Sequence, residues 1–227
     1  MESGENSESD NEGILQIARS LCEQLNCASL SPERLSWQQE YGYSRDRYGN
    51  PLGPAVTTHY PLFWRGVLII NPVLQDRLTI DELRPLIASS VVYYGQLISR
   101  LKRRMALLAI PVILVLAAFS LFVLTGRVIP DLLPIFIIAL LVPLVLAAYS
   151  SFLWSRKFML LADRRVAEQF GAQPLLETLR KIQRLRDSDE KEEKMAAWAW
   201  VEHWEAPSVE NRIRNLETDH VSSRSSS

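Results

Sequence analysis

The chain of 227 residues carries 25 Lys and Arg against 26 Asp and Glu, so its formal net charge is −1 at pH 7. This balance excludes a strongly basic nucleic-acid-binding protein. A hydrophobic content of 48% with 22% charged residues excludes wholesale disorder. Two cysteines, Cys22 and Cys27, are too few for a disulfide framework and are interpreted as packing residues. The three histidines are too far apart for a multi-histidine metal site.

The N-terminal third is predicted to begin with a disordered acidic tail over residues 1–12, which are rich in Ser and Glu. Apolar residues at helical spacing then predict a short amphipathic helix over residues 13–26. Residues 31–58 are aromatic and rich in Gly and Pro, which is typical of short strands joined by loops. The best strand candidate is the apolar segment 63–70.

A capped helix is predicted next. Thr79 followed three residues later by Glu82 is a capping box, which favours a helix start at this point. Pro85 lies inside the predicted helix and is expected to kink it or displace its start. We expect the helix to run on to Arg104 and into the following apolar segment. The apolar residues that continue it on one face are Leu83, Ile87, Val91, Tyr94 and Ile98.

Two long uncharged segments predict a transmembrane hairpin. Residues 105–124 form a run of twenty, and residues 132–154 form a second run of twenty-three, separated by a short segment rich in helix breakers. Twenty helical residues span about 30 Å, the thickness of the hydrocarbon core of a bilayer. A buried hairpin in a soluble core is the alternative, but two such runs exceed what a chain of this size needs for its core.

Basic residues flank both uncharged segments and predict the orientation of the hairpin. The connecting segment has one Arg and one Asp. Four basic residues precede the first run, namely Arg100, Lys102, Arg103 and Arg104, and four follow the second, namely Arg156, Lys157, Arg164 and Arg165. By the positive-inside rule, both termini are expected in the cytoplasm. The sequence therefore predicts an integral membrane protein with two spans, most simply in the plasma membrane.

The C-terminal part, residues 155–220, is predicted to be a helical cytoplasmic segment. One helix covers residues 154–171 and ends at Gly171, and a second carries the apolar stripe Leu175, Leu179, Ile182 and Leu185. Residues 187–194 are charged and predict a solvated face or loop. The cluster Trp198, Trp200 and Trp204 is interpreted as core packing, with a membrane-interface belt as the alternative. Residues 221–227 are Ser-rich and predict a second disordered tail.

The order of these elements, with three short motifs, resembles a known family. A strand leads into the helix segment Asp81-Glu82-Leu83-Arg84-Pro85-Leu86-Ile87-Ala88, which precedes the membrane hairpin. Ala162-Asp163-Arg164 follows the hairpin, and Pro207 with Arg212-Ile213 comes last. In this order the chain resembles the integral-membrane zinc metallopeptidases of the HtpX and CAAX-prenyl-protease family. The resemblance covers about two thirds of the chain, roughly residues 64–216.

The departures from the family pattern lie at the metal site. The resemblance places the two zinc-binding histidines of the family at Ser89 and Tyr93, the general-base glutamate at Ser90 and the third ligand, a glutamate, at Leu161. Zinc peptidases need three protein ligands and a base that accepts a proton from the metal-bound water. A serine hydroxyl and a phenol stay protonated near neutral pH, and leucine has no donor atom. We therefore expect no zinc, no other cofactor and no catalytic residues, and we expect Ser89, Tyr93 and Leu161 to converge.

The resemblance also implies a fold and a binding mode. The expected fold class is mainly α with a small β-sheet (α+β), as a metallopeptidase-like cytoplasmic domain, residues 13–104 and 155–220, interrupted by the two-helix transmembrane hairpin. In such peptidases a strand beside the metal helix pairs with extended substrate. Strand addition relies on main-chain hydrogen bonds and needs no metal. The corresponding peptide-binding strand would consist of Gly66, Val67, Leu68, Ile69 and Ile70.

Three classes of function are compatible with the sequence. The first is a pseudo-peptidase, an integral membrane protein that binds or regulates without hydrolysis. The second is an active membrane zinc metalloendopeptidase with unrecognised ligands, and the third is an unrelated membrane scaffold protein. Bound zinc would separate the second class from the first. The expected partners are the lipid bilayer and a peptide segment or another membrane protein, and no nucleic acid is expected.

Overall fold

The structure is a computed structural model that describes residues 3–37, 60–124, 133–189 and 207–224. The described residues are mainly helical and include a three-stranded sheet, so the expected α+β class is confirmed. The transmembrane character of the hairpin stays a prediction. Within the described part of the chain, no helix is both long enough and apolar enough to cross a membrane.

The helices are α1 (Ser3–Gln24), α2 (Ile80–Val91), α3 (Ile98–Leu124), α4 (Leu133–Phe170), α5 (Ala172–Asp189) and α6 (Val209–Arg224). A π-helical segment, Val92–Leu97, joins α2 to α3, and two short 3-10 helices cover Ala28–Leu30 and Pro72–Leu74. The strands are β1 (Arg34–Trp37), β2 (Leu62–Trp64) and β3 (Val67–Ile70).

Helix α1 starts at Ser3 rather than at residue 13, so it includes most of the segment predicted as an acidic tail. Its C-terminal end explains the spacing of the two cysteines. Asn26 has a left-handed conformation with φ 54°, and the Cys27 N–H donates to the Cys22 carbonyl at 2.7 Å. These features define a Schellman motif, in which the first and last residues of the motif make an apolar contact. Both thiols are buried, as expected for packing residues.

The segment predicted as one strand, residues 63–70, is a hairpin of β2 and β3. Arg65 and Gly66 form its turn, with φ of 46° and 75°, and Trp64 pairs with Val67 on either side. Two successive residues with positive φ are typical of a type I′ turn, which matches the twist of the two strands. The prediction of a single strand was therefore wrong, because a two-residue turn divides an otherwise continuous apolar segment.

Helix α2 begins where the capping box predicted. Thr79 Oγ1 accepts a hydrogen bond from the Glu82 N–H, and Glu82 Oε2 accepts one from the Thr79 N–H at 2.7 Å. Pro85 lies inside α2 without displacing its start. The helical path continues through Val92–Leu97 into α3, as predicted. Gly95, in the π-helical segment, approaches the segment that follows α1 so closely that any Cβ there would overlap the Cys27 thiol.

Helix α4 combines the second uncharged segment with the helix predicted over residues 154–171. It ends before Gly171, whose φ of 89° is a conformation that glycine adopts easily, as predicted. In α5, three members of the predicted stripe are fully buried, namely Leu175, Leu179 and Ile182. Helix α6 continues to Arg224, so it includes part of the predicted C-terminal tail.

Several predictions lie outside the described residues. They concern the loops within 38–59, the hairpin turn at 125–131, the end of the charged stretch at 190–194, the tryptophan cluster of residues 198–204 and the last residues, 225–227.

The hydrophobic core forms where α2 packs against α1, α4, α5 and the sheet. Helices α3 and α4 pack against each other beyond this core and expose many large aliphatic side chains. The most exposed are Leu107, Ile113, Leu114, Leu121, Ile138 and Val145, each at least 61% accessible.

Candidate functional site

The face of α2 that carries Ser89, which the resemblance places at a zinc-ligand position, contacts α4 directly. Ser89 Oγ donates a hydrogen bond to Asp163 Oδ1 at 2.5 Å. Four residues further on, the Tyr93 hydroxyl shares a hydrogen bond with Ser155 Oγ at 2.9 Å. Since residues four apart on a helix lie on the same face, one face of α2 and of the segment that follows it meets one face of α4 here. The two helices therefore enclose the position at which the resemblance would place a metal.

A buried ion pair lies at this position. Arg212 of α6 donates from Nε to Asp163 Oδ2 at 2.8 Å and from a terminal nitrogen to Asp163 Oδ1 at 2.8 Å. The Arg212 side chain is 3% exposed and that of Asp163 is 0% exposed. Two parallel hydrogen bonds between guanidinium and carboxylate are the strongest ion-pair geometry in proteins. In the sequence both residues stand out only as parts of the motifs that carry the resemblance, and nothing local marks them as members of one site.

Tyr60 completes the cluster through contacts with Ser89 and Arg212. Its hydroxyl donates to the Ser89 carbonyl at 2.9 Å and lies 2.9 Å from Ser89 Oγ, while its ring faces the Arg212 guanidinium at 4.9 Å. Ser89 has one hydroxyl proton, which it donates to Asp163, so Tyr60 is the donor towards Ser89 and its single proton is shared between the Ser89 carbonyl and Ser89 Oγ. We call these four residues, Tyr60, Ser89, Asp163 and Arg212, the buried polar cluster.

Burial and charge set the protonation of the buried polar cluster. Burial raises the pKa of Tyr60 well above its usual value, and the nearby Asp163 carboxylate raises it further, so the phenol stays neutral. Burial lowers the pKa of Arg212, but the charge and the hydrogen bonds of Asp163 outweigh this effect and raise it. The cluster is therefore one cation paired with one anion and two neutral hydroxyls. Because Ser89 is fully buried, its oxygen cannot reach a substrate in this conformation.

The other two residues that the resemblance places at the metal site in this part of the chain, Ser90 and Tyr93, are also buried. Ser90, at the general-base position, is fully buried, and within the described ranges its hydroxyl has no hydrogen-bond partner. Burial raises the pKa of Tyr93, with its hydrogen bond to Ser155 acting in the opposite direction. Its ring packs edge-on against Tyr60. Hydroxyls that stay protonated at neutral pH are poor ligands for zinc, which binds thiolate, imidazole and carboxylate groups.

The predicted position of the third ligand, Leu161, was wrong in helical phase. Residues two apart on a helix point about 200° apart, so Leu161 cannot face α2 when Asp163 does. Leu161 is only partly buried. Met159 lies one turn from both Ser155 and Asp163 and is 8% exposed, so it occupies the face that meets Ser89 and Tyr93. Its thioether is not one of the ligand groups that zinc prefers.

The predicted peptide-binding strand is a central strand. The sheet order is β1-β3-β2, with β1 parallel and β2 antiparallel to β3. Both hydrogen-bonding edges of Val67, Leu68 and Ile69 are therefore occupied by neighbouring strands. Ile70 is paired with β1 only, and Gly66 belongs to the hairpin turn. A peptide cannot add to β3 as predicted, because strand addition requires a free edge.

No cluster of three or more His, Cys, Asp or Glu side chains that could hold a metal ion occurs within the described residues. Comparisons with protein-family models, with curated proteins and with solved structures gave no match. The resemblance to the zinc metallopeptidases thus stays a prediction from the order of the motifs.

Proposed function

We propose that this chain is a membrane-anchored pseudo-peptidase, which resembles the zinc metallopeptidases in chain order but carries out no hydrolysis. It acts by binding a peptide segment or another membrane protein. The observation that supports this proposal is the buried polar cluster. Asp163 and Arg212 neutralise each other where α2 meets α4, and Ser89 donates its proton to the same carboxylate. A paired and fully buried carboxylate has no free oxygen to offer a metal or a water.

The first prediction concerns metal content and cleavage. Purified protein, incubated with zinc and then dialysed, should contain no stoichiometric zinc by elemental analysis, because the former ligand positions hold two hydroxyls and a thioether. Peptide substrates should remain uncut, both with and without a chelator. A carboxypeptidase of known zinc content serves as the positive control. Stoichiometric zinc together with chelator-sensitive cleavage would favour the active metalloendopeptidase and overturn the proposal.

Anchoring in a membrane is the second part of the proposal. It is supported by the two uncharged segments of twenty and twenty-three residues and by the aliphatic side chains that α3 and α4 expose. Contiguous apolar surface of this kind requires a partner. Lipid acyl chains are a suitable partner, because the apolar surface extends along the length of both helices. At the predicted cytoplasmic end, the Arg104 guanidinium stacks on Trp154 at 5.1 Å. Aromatic and basic residues are enriched at the membrane–water interface of membrane proteins.

The second prediction concerns topology. A cysteine introduced at Gly126 should react with a membrane-impermeant maleimide from outside intact cells, whereas a cysteine at Ser226 should react only after permeabilisation. The native thiols should react little with the maleimide, which attacks the thiolate form. Burial is the main cause that raises the pKa of Cys22 to about 11, and burial also raises the pKa of Cys27. Reaction of both introduced cysteines from the same side would contradict the two-span topology.

A further inference from the structure

A basic groove lies between α4 and α6. Its volume is about 380 Å³, which is within the usual range of small-molecule sites. Three arginines line it, Arg156 and Arg164 from α4 and Arg214 from α6, and no Asp or Glu is among the described residues of its wall. We call this feature the arginine groove. Because guanidinium groups bind phosphate through paired hydrogen bonds, the groove has the chemistry of a phosphate site.

The wall of the arginine groove is fixed by side-chain hydrogen bonds between the two helices. Arg164 donates from Nε at 3.1 Å and from a terminal nitrogen at 2.8 Å to Asn215 Oδ1. The amide nitrogen of Asn215 donates in turn to the Leu160 carbonyl at 3.3 Å. Arg156, Leu160 and Arg164 are spaced four residues apart and therefore share one face of α4. An oriented guanidinium loses less conformational entropy when it binds a ligand.

The place of the groove along α4 indicates the source of the phosphate. Helix α4 is continuous from Leu133 to Phe170, and its uncharged part ends at Trp154. At 1.5 Å per residue, Arg156 lies about 3 Å and Arg164 about 15 Å beyond Trp154 along the axis. The headgroup layer on each side of a bilayer is about 5–8 Å thick. If the anchoring proposed above is correct, one end of the groove is at the level of the lipid headgroups.

The geometry points to the arginine groove as a binding site for the phosphate-bearing headgroup of an anionic phospholipid in the cytoplasmic leaflet. Binding would attach α6 to the membrane surface. Since α6 also carries Arg212, the lipid would stabilise the helix that closes the buried polar cluster. A soluble phosphate ester shares the chemistry, and the test distinguishes it from a lipid. This inference depends on the proposed membrane anchoring, but not on the absence of hydrolysis.

The test measures lipid retention by the full chain in detergent, using native mass spectrometry with phosphatidylglycerol and phosphatidylcholine as probes. The wild type should retain phosphatidylglycerol preferentially. The double variant Arg164→Gln/Arg214→Gln should lower its apparent affinity roughly tenfold or more, because each basic residue near anionic lipid contributes about fivefold. Arg165→Gln/Arg180→Gln is the matched control, since it removes the same charge outside the groove: Arg165 bonds to Gln96, and Arg180 to Glu217. Arg214→Gln alone, at an exposed position, provides a variant whose folding should be unaffected.

Each of the other outcomes contradicts lipid binding in the arginine groove. Equal losses in the groove variants and the control would show general electrostatic attraction and overturn the proposal. Full displacement of the lipid by millimolar glycerol phosphate would assign the groove to a soluble phosphate ester. Alkaline extraction of membranes tests anchoring separately. If the chain stays in the membrane while the groove variants bind lipid as wild type does, the groove inference alone fails; if the chain is extracted, the anchoring fails.

Discussion

Replacing Arg212 by Leu is expected to lower the free energy of unfolding by about 3–5 kcal/mol, because it leaves the Asp163 carboxylate buried without its cation. The side chain of Asp163 is 0% exposed, so water cannot replace the lost hydrogen bonds without opening the core. This is a large part of the stability of a typical domain, about 5–15 kcal/mol. Chemical unfolding followed by circular dichroism on the full chain in detergent gives the measurement.

Two further variants test whether the pair is the cause. The double variant Asp163→Leu/Arg212→Leu should recover much of the loss, since a buried ion pair replaced by apolar side chains is often neutral in stability. Arg180→Leu is the matched control, because its ion pair with Glu217 is 45% and 49% exposed and is expected to contribute little. A loss for Arg212→Leu no greater than that for Arg180→Leu would refute a structural role for the buried polar cluster.

Introducing the ligand types of the zinc metallopeptidases is expected to create a zinc site. The triple variant Ser89→His/Tyr93→His/Met159→Glu supplies two imidazoles one turn apart on the α2 side and a carboxylate on the facing side of α4. Two histidines and one carboxylate are a common catalytic zinc ligand set. The variant should therefore retain about one zinc per chain after dialysis, as measured by elemental analysis, whereas the wild type should retain none.

The control for this experiment differs in one position. Ser89→His/Tyr93→His/Leu161→Glu adds the same ligand types, but its carboxylate lies on the wrong face of α4, so zinc retention should be much weaker. Unfolding curves establish that both variants fold. Equal zinc retention by the two variants would show that the helical phase assigned to Met159 is wrong. Absence of zinc from a folded triple variant would remove the structural basis for the family resemblance.

Local interactions made several elements predictable from sequence. The start of α2 depends on Thr79 and Glu82, which are three residues apart. The side chain of each accepts a hydrogen bond from the backbone N–H of the other. The end of α4 depends on Gly171, whose positive φ other residues rarely adopt. The buried stripe of α5 follows from spacing alone. In each case the partners lie within about one turn, so the local sequence determines the outcome.

The candidate site depended on contacts between distant parts of the chain. Ser89 and Asp163 are 74 residues apart, and Asp163 and Arg212 are 49 apart, so only the packing of α2, α4 and α6 could bring them together. The sequence by itself shows that Ser89, Ser90, Tyr93 and Leu161, the positions that the resemblance aligns with the zinc site, carry no imidazole and no carboxylate. It could not assign Met159 rather than Leu161 to the inner face of α4, because that choice depends on which face packs against α2.

The sheet shows the same division. The apolar residues of 62–70 determined that strands form there, and Arg65-Gly66 allows the turn between them. That β3 is central was decided by β1, which comes from residues more than thirty positions earlier and pairs parallel to it. Hydrogen-bonding edges are shared between strands, so whether one is free for a peptide depends on the neighbouring strand and not on the residues of the strand itself.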